Sequence, residues 1–223
     1  MTFIHCPPKV LPDLVSVTGD DGKRYYTTPS GVRLPSVTTV IGAMKKQAIM
    51  EWRARVGEAE ANRISKMASG RGTRVHSLAE KYLNNEKIMW QKEMPDAIEM
   101  FNSLKPLMSK INNIHYQECS LWSEKIGMAG RVDLIAEWDG VLSVIDFKTS
   151  KKVKKRDDIF DYFAQECAYA LMYDELVGKN IDQLVTVMAV ENDEPLVFIE
   201  KTEDHINTLA EYIKYYRTTV REN

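Results

Sequence analysis

The spacing of apolar and polar positions changes several times along the chain, and each change marks an element. Residues 130–148 hold two apolar, partly β-branched runs separated only by Asp139-Gly140. This is the strongest short-range signal for a β-hairpin closed by a two-residue type I′ turn. With Trp138 facing Val141, counting back in register sets Asp133 opposite Asp146. Strand alternation then puts Lys148 on the same face.

Upstream, residues 14–17 and 24–28 read as short strands of a small hairpin in a proline-rich, irregular stretch. Ser36 offers an N-cap to a short helix ending near Gly42. Helices are expected from about Ala48, carrying Trp52, and over roughly 58–67. Gly70-Arg71-Gly72-Thr73 then separates a third, 74–83, with His76 and Glu80 one turn apart. Residues 94–111 repeat apolar positions at Ile98, Phe101, Leu104, Leu107 and Met108, an amphipathic helix broken near Pro106.

Residues 116–123 read as a strand carrying Glu118. Residues 158–177 read as a helix on which Gln165 and Tyr169 share a face. A second hairpin, 184–191 with 196–200, precedes a last helix over 203–219 whose apolar face is Ile206, Leu209, Ile213 and Tyr216. The fold class is α/β in the broad sense, an α+β mixed sheet flanked by helices. Residues 1–34 form an arm or small hairpin and 35–223 one domain, helical over about 35–112 with its core at about 113–223.

A chain of 223 residues with 44% hydrophobic and 28% charged positions can bury one sizeable core. No run approaches eighteen apolar residues and the start resembles no signal peptide, so no membrane partner and a cytoplasmic location are expected. Three dispersed cysteines, Cys6, Cys119 and Cys167, offer no zinc or iron–sulfur spacing and no disulfide framework. The net charge of −2 conceals an asymmetry. Residues 33–87 hold eleven basic against five acidic side chains, 148–156 six against none, and 157–223 five against fifteen. A basic front beside the hairpin suggests a groove for a polyanion, although a charge run alone is equally a solvated surface.

Like charges facing each other across a sheet are destabilising. A bound cation or a shifted pKa offsets Asp133 against Asp146, and oxygen ligands at this spacing suit Mg2+ or Mn2+. Lys148 is placed to orient a water or to neutralise charge developing on a phosphate. The same residues also allow a plain Lys148–Asp146 salt bridge with Asp133 in solvent. His76 on its helix is by itself more often a structural group than a ligand. Hydroxyls at a helix start, Ser36 and Thr38, can take phosphate oxygens, though capping is commoner.

Gly130-x-x-Asp133, then Ile145-Asp146-Phe147-Lys148-Thr149-Ser150, then Gln165-x-x-x-Tyr169, with His76 and Glu118 upstream, resemble in order the motifs of the PD-(D/E)xK nuclease superfamily in its RecB-type branch. Pro35-Ser36-Val37-Thr38, the helix with Trp52, His76 and the hairpin are similar to the group of mitochondrial genome-maintenance and small phage exonucleases. The resemblance implies a restriction-endonuclease-like core and a metal site of His76, Asp133, Asp146 and the Phe147 carbonyl. It also implies a catalytic Lys148, with Glu118 serving a second metal or the attacking water. Gln165 and Tyr169 would hold the nucleic acid backbone or the lysine, and Ser36, Thr38, Arg71, Lys151 and Lys152 would join them on the nucleic acid. The expected activity is a Mg2+- or Mn2+-dependent DNA exonuclease preferring single strands or ends, without iron–sulfur cluster or ATP. It would act in replication, recombination or repair in a bacterial or phage-infected cell, alongside replication or recombination proteins. Trp52, Tyr82 and Trp90 are candidates for base stacking. An endonuclease on the same fold and a non-catalytic nucleic-acid-binding module remain the alternatives.

Overall fold

A computed structural model describes residues 2–219. Three short antiparallel strands, β1 (Ser16–Thr18), β2 (Arg24–Thr27) and β3 (Arg33–Pro35), open the chain. The expected hairpin thus gains a third strand, which leads directly into α1 (Val37–Gly42). Helices α2 (Lys46–Val56), α3 (Glu58–Leu83) and α4 (Pro95–Leu104) follow. The main sheet is built from β4 (Ile111–Ser123), β5 (Met128–Trp138), β6 (Val141–Ser150), β7 (Gln183–Val190) and β8 (Leu196–Lys201), in that order. Helix α5 (Phe160–Val177) makes the crossover that the one parallel pair, β6–β7, requires, and α6 (Thr202–Thr219) closes the described chain.

Helices α3 and α4 cover one face of the sheet, where Val75, Leu78 and Phe101 meet Leu134, Ile145 and Val187. The other face packs Val37, Ala164, Cys167 and Leu209 against Ile135, Val144 and Leu184. Among the described residues no helix is long and apolar enough to cross a membrane.

The central hairpin has the expected turn: Asp139 (φ 50°) and Gly140 (φ 81°) are both left-handed, as type I′ requires. Trp138 faces Val141 and the register holds to Leu134 opposite Ile145. There the strands part. Beyond that pair β6 stays in backbone ladder with β7, while the freed edge of β5 takes Ser36 in a parallel bridge at Ala129.

Several boundaries differ from the sequence pattern. Gly70 and Gly72 do not interrupt α3, which runs 26 residues through them. Each interior glycine costs about 1 kcal/mol, and burial of Val75, Leu78, Ala79 and Leu83 outweighs that. Helix α4 stops at Leu104 before Pro106, which lacks an amide proton, and β4 starts at Ile111 after a single 3-10 turn. On α6 the buried positions are Thr202, His205, Leu209 and Tyr216, with Ile206 43% exposed. His205 turns inward because its Nε2 meets Glu200 Oε2 at 3.1 Å.

Gly130 sits where the two central strands part. A Cβ there would lie 2.6 Å from Tyr169 Oη, 3.0 Å from Tyr169 Cε1 and 3.1 Å from Val37 Cγ2. Those neighbours are buried on α5 and α1 and have little room to yield. Gly130→Ala is therefore expected to destabilise the protein by about 1–3 kcal/mol, and Tyr169→Phe added to it should restore part of the loss. Urea unfolding followed by circular dichroism checks this; an unchanged midpoint for Gly130→Ala would contradict the packing.

Candidate active site

The parting of β5 and β6 creates the site. Asp133 lies one residue past the last paired position, and its Oδ2 accepts the Phe147 N–H at 2.9 Å. A carboxylate thus replaces the backbone acceptor that β6 has lost. His76 reaches in from α3, with Nδ1 3.4 Å from the same oxygen. On β4, Gln117 faces Leu134 and Cys119 faces Val132, which sets Glu118 opposite Asp133. Glu118 has φ 46°, a left-handed conformation unusual for its residue type, and its carbonyl accepts from the Arg131 guanidinium. Donor atoms of His76, Glu118 and Asp133 all lie within 4.8 Å of one another.

Across the opening, Asp146 is only 2% exposed. Its Oδ1 accepts from Gln165 Nε2 at 2.8 Å. Its Oδ2 is ion-paired with the Lys148 ammonium. The Lys148 Nζ also lies 5.0 Å from the centre of the Tyr162 ring. Glu166, fully buried, accepts from the Thr186 hydroxyl through Oε1, while Oε2 has no hydrogen-bond partner among the described residues. Tyr162, Gln165, Glu166 and Tyr169 fall at i, i+3, i+4 and i+7 and so form one polar stripe on α5.

Burial and neighbours set the charges. Burial works against the His76 imidazolium, but Asp133 outweighs it and raises the group to about 9. Burial raises Asp133, yet His76, Lys148 and the Phe147 N–H hold it below the usual carboxylate range. Asp146 is pushed up to about 6 by burial and by Asp133, against Lys148. Burial opposes the Lys148 ammonium, but Asp146 and Asp133 keep it charged well above neutrality. Burial and Asp133 lift Glu118 to about 7. Burial, with Asp146 adding, pushes Glu166 well above the ordinary value.

One imidazole nitrogen and two carboxylates within reach of one point suit a divalent cation such as Mg2+ or Mn2+. His76, Glu118 and Asp133 would hold it. Asp146 Oδ2 is the further oxygen available when Lys148 moves aside. The group brought together thus includes Glu118. Asp146 stands beside it, and Phe147 contributes its amide to Asp133.

The remaining expected residues fall as follows. The Ser36 hydroxyl is consumed in capping α1, accepting from Thr39 N–H at 3.0 Å, while Thr38 beside it is exposed. Arg71 is buried and paired with Glu191 at 3.0 Å. Lys151 and Lys152 are exposed immediately after β6. The Gln165 amide serves Asp146, and Tyr169 is buried against Gly130. Tyr82 packs edge-on between Phe3 and Phe101, and Trp90 leans on Phe101, which leaves Trp52 on α2 as the half-exposed aromatic among the stacking candidates that makes no such ring contact. Tyr162 and Glu166 were not anticipated. Their spacing from Gln165 and Tyr169 puts them on the same face of α5, but only the fold shows that this face meets Asp146 and Lys148.

Residues 50–222 match the family model of the PD-(D/E)XK nuclease superfamily. The chain belongs to this superfamily. Its five-stranded mixed sheet flanked by helices is the restriction-endonuclease-like fold of that superfamily. Human mitochondrial genome maintenance exonuclease 1 is 26% identical over 176 residues, covering 73% of this chain and 51% of that protein. The chain therefore spans about half the length of that relative. A solved structure from Eubacterium rectale, described as that of a candidate exonuclease, aligns with 66% of this chain and 65% of its own at 12% identity and a TM-score of 0.45.

The raised groups have a common consequence. His76 titrates near 9 in the fold against an ordinary 6.5, so its contribution is complete below about 6.5 and is lost as pH rises through about 9. Glu118 and Asp146, raised to about 7 and 6, act in the same direction at lower pH. In EDTA the melting temperature should fall as pH rises from 6 to 9, and His76→Gln should flatten the upper part of that fall. Over the same interval Mn2+ affinity should rise, because the cation displaces the His76 proton. Thermal unfolding and isothermal titration check both slopes.

Proposed function

We propose that this protein is a metal-dependent DNA exonuclease that hydrolyses phosphodiester bonds, prefers single strands or free ends, and serves DNA replication, recombination or repair. The observation that carries this reading is His76, Glu118 and Asp133 drawn together beside the Asp146–Lys148 pair. A bound Mg2+ or Mn2+ supplies Lewis-acid polarisation of the scissile phosphate and a more acidic water. His76, Glu118, Asp133 and Asp146 are its candidate ligands.

The other steps fall to the chain itself. The Lys148 ammonium donates to a non-bridging phosphate oxygen and offsets the charge that builds up there during attack. Glu118, held opposite Asp133 by the turned backbone of β4, orients the attacking water by accepting its proton. Gln165 keeps the Asp146 carboxylate in one orientation, and the Tyr162 ring supports Lys148 from α5. Thr38, Lys151 and Lys152 contact phosphates of the strand, which positions it without reading sequence. Trp52, flanked by Arg53 and Arg55, offers a face for a base. Ser36, Arg71 and Tyr169 act on the strand indirectly, by fixing α1, the end of β7 and Gly130. The exonuclease assignment is supported by the name of the human relative.

The test uses end-labelled single-stranded DNA, its duplex and a circular single strand, each with Mg2+, Mn2+ or EDTA. Linear strands should disappear only with metal while circles survive. Lys148→Ala and Asp146→Ala should cut at a rate lower by roughly 100-fold or more while remaining folded. Cut circles would assign an endonuclease instead. Intact DNA under every metal, with binding retained, would assign a binding module.

A further inference from the structure

Glu166 has no part in the chemistry above, yet it is a fully buried carboxyl beside it. An ionisable group in this position costs stability that an apolar side chain of the same size would not. Its surroundings are specific. Oε1 accepts from the hydroxyl of Thr186, which is the residue next to Asp146 in the parallel β6–β7 register. Oε2 is buried with no hydrogen-bond partner. Tyr162, whose ring has the Lys148 Nζ 5.0 Å from its centre, is one turn away on α5.

Both oxygens of Asp146 are engaged: Gln165 donates to Oδ1 and Lys148 is paired with Oδ2. A cation can reach Asp146 Oδ2 only when Lys148 gives it up. The Lys148 side chain is only 19% exposed, so an ammonium leaving Asp146 is poorly compensated by water and gains from a second acceptor inside the protein. We propose that Glu166 is that acceptor, a positioning residue whose free Oε2 takes the Lys148 ammonium when Asp146 turns to a divalent cation. Lysine thereby stays over the phosphate, held between the Tyr162 ring and Glu166. The electrostatic influence that Lys148 and Glu166 exert on each other is consistent with this second seat. The proposal rests on the metal-dependent reading above.

The experiment is a double-mutant cycle on the full chain, read by Mn2+ titration calorimetry and by kcat and KM. Glu166→Gln keeps the size of the side chain and an acceptor for Thr186 but puts an amide N–H donor where the free Oε2 would accept. It should weaken Mn2+ binding by about tenfold and lower kcat with KM for DNA unchanged. Lys148→Ala should bind Mn2+ as well as wild type or better, because Asp146 is released. In that background Glu166→Gln should alter Mn2+ affinity by less than about twofold. Glu166→Met, which removes the carboxyl without opening a cavity, should repeat the pattern and covers the case in which Glu166→Gln folds poorly. Wild-type Mn2+ affinity in Glu166→Gln and Glu166→Met, or an equal loss with and without Lys148, would overturn the proposal. A wild type that takes up no Mn2+ would overturn the metal-dependent reading and this proposal together, whereas a wild type that binds Mn2+ and cuts isolates the failure to Glu166.

Discussion

The whole arrangement depends on the hydrogen bonds that β5 and β6 do not make. Had the antiparallel pairing continued one step past Leu134 and Ile145, Asp133 and Asp146 would have faced each other as a close, non-hydrogen-bonded pair of carboxylates. Parting the strands removes that repulsion but frees two strand edges that must find partners in the interior. On β6, the Phe147 N–H turns to the carboxylate of Asp133. On β5, Ala129 pairs with Ser36, which brings the N-terminal strands and α1 against the sheet. Val37 and Tyr169 fill the wedge, and only a glycine at position 130 leaves them space. The N-terminal strands and α1 are therefore part of what holds the central strands apart.

The same opening decides the electrostatics. His76 pairs with Asp133 and Lys148 with Asp146, so two cations and two anions alternate in a volume largely shut off from water. Breaking one such buried pair by removing a partner typically costs about 3–5 kcal/mol. A metal must compete with both pairs at once. The site is consequently a set of mutually satisfied side chains, and under the proposed function a cation would have them exchange partners. This is why the helix facing Asp146 matters as much as the ligands: α5 sets the orientation of Asp146 through Gln165 and contacts Lys148 through Tyr162.

Much of this was legible from the sequence where local rules act alone. Asp139-Gly140 fixed the turn, and the turn fixed which residues face one another, because period-two alternation leaves no freedom once the register is set. The sequence pattern could not show where pairing would stop, since that depends on α1 arriving from more than ninety residues away in the chain, with Ser36 meeting Ala129. Gly70 and Gly72 look like a break in α3 by propensity and are overruled by the buried stripe from Val75 to Leu83. Glu118 was found through the family resemblance, as a glutamate on the strand preceding Asp133. Its left-handed backbone, which aligns it with Asp133, has no sequence signature, because glutamate rarely adopts that conformation. Glu166 was hidden for the opposite reason: a glutamate in a helix is ordinary, and only the fold reveals that this one is buried.

Charge counts were the least transferable part of the sequence. Many of the basic residues that made 33–87 look like a continuous front act as internal struts. Arg71 is bound to Glu191, Arg74 to Asp96, Lys81 to Glu93 and Lys45 to Asp161, and beyond that stretch Arg156 is bound to Glu200. In three of those pairs the acidic partner comes from the C-terminal third, so part of the basic charge is neutralised from within the fold. Lys151 and Lys152 remain exposed and make no ion pair among the described residues. They follow Lys148 by three and four residues, on the segment where β6 ends. At physiological ionic strength the field of an exposed charge decays over about 8 Å. Lysines so close to the reacting group can hold a phosphate chain there, whereas distant ones would only raise affinity generally. On the proposed function, attraction for a polyanion would act next to Lys148, just past the strand that carries both Asp146 and the lysine.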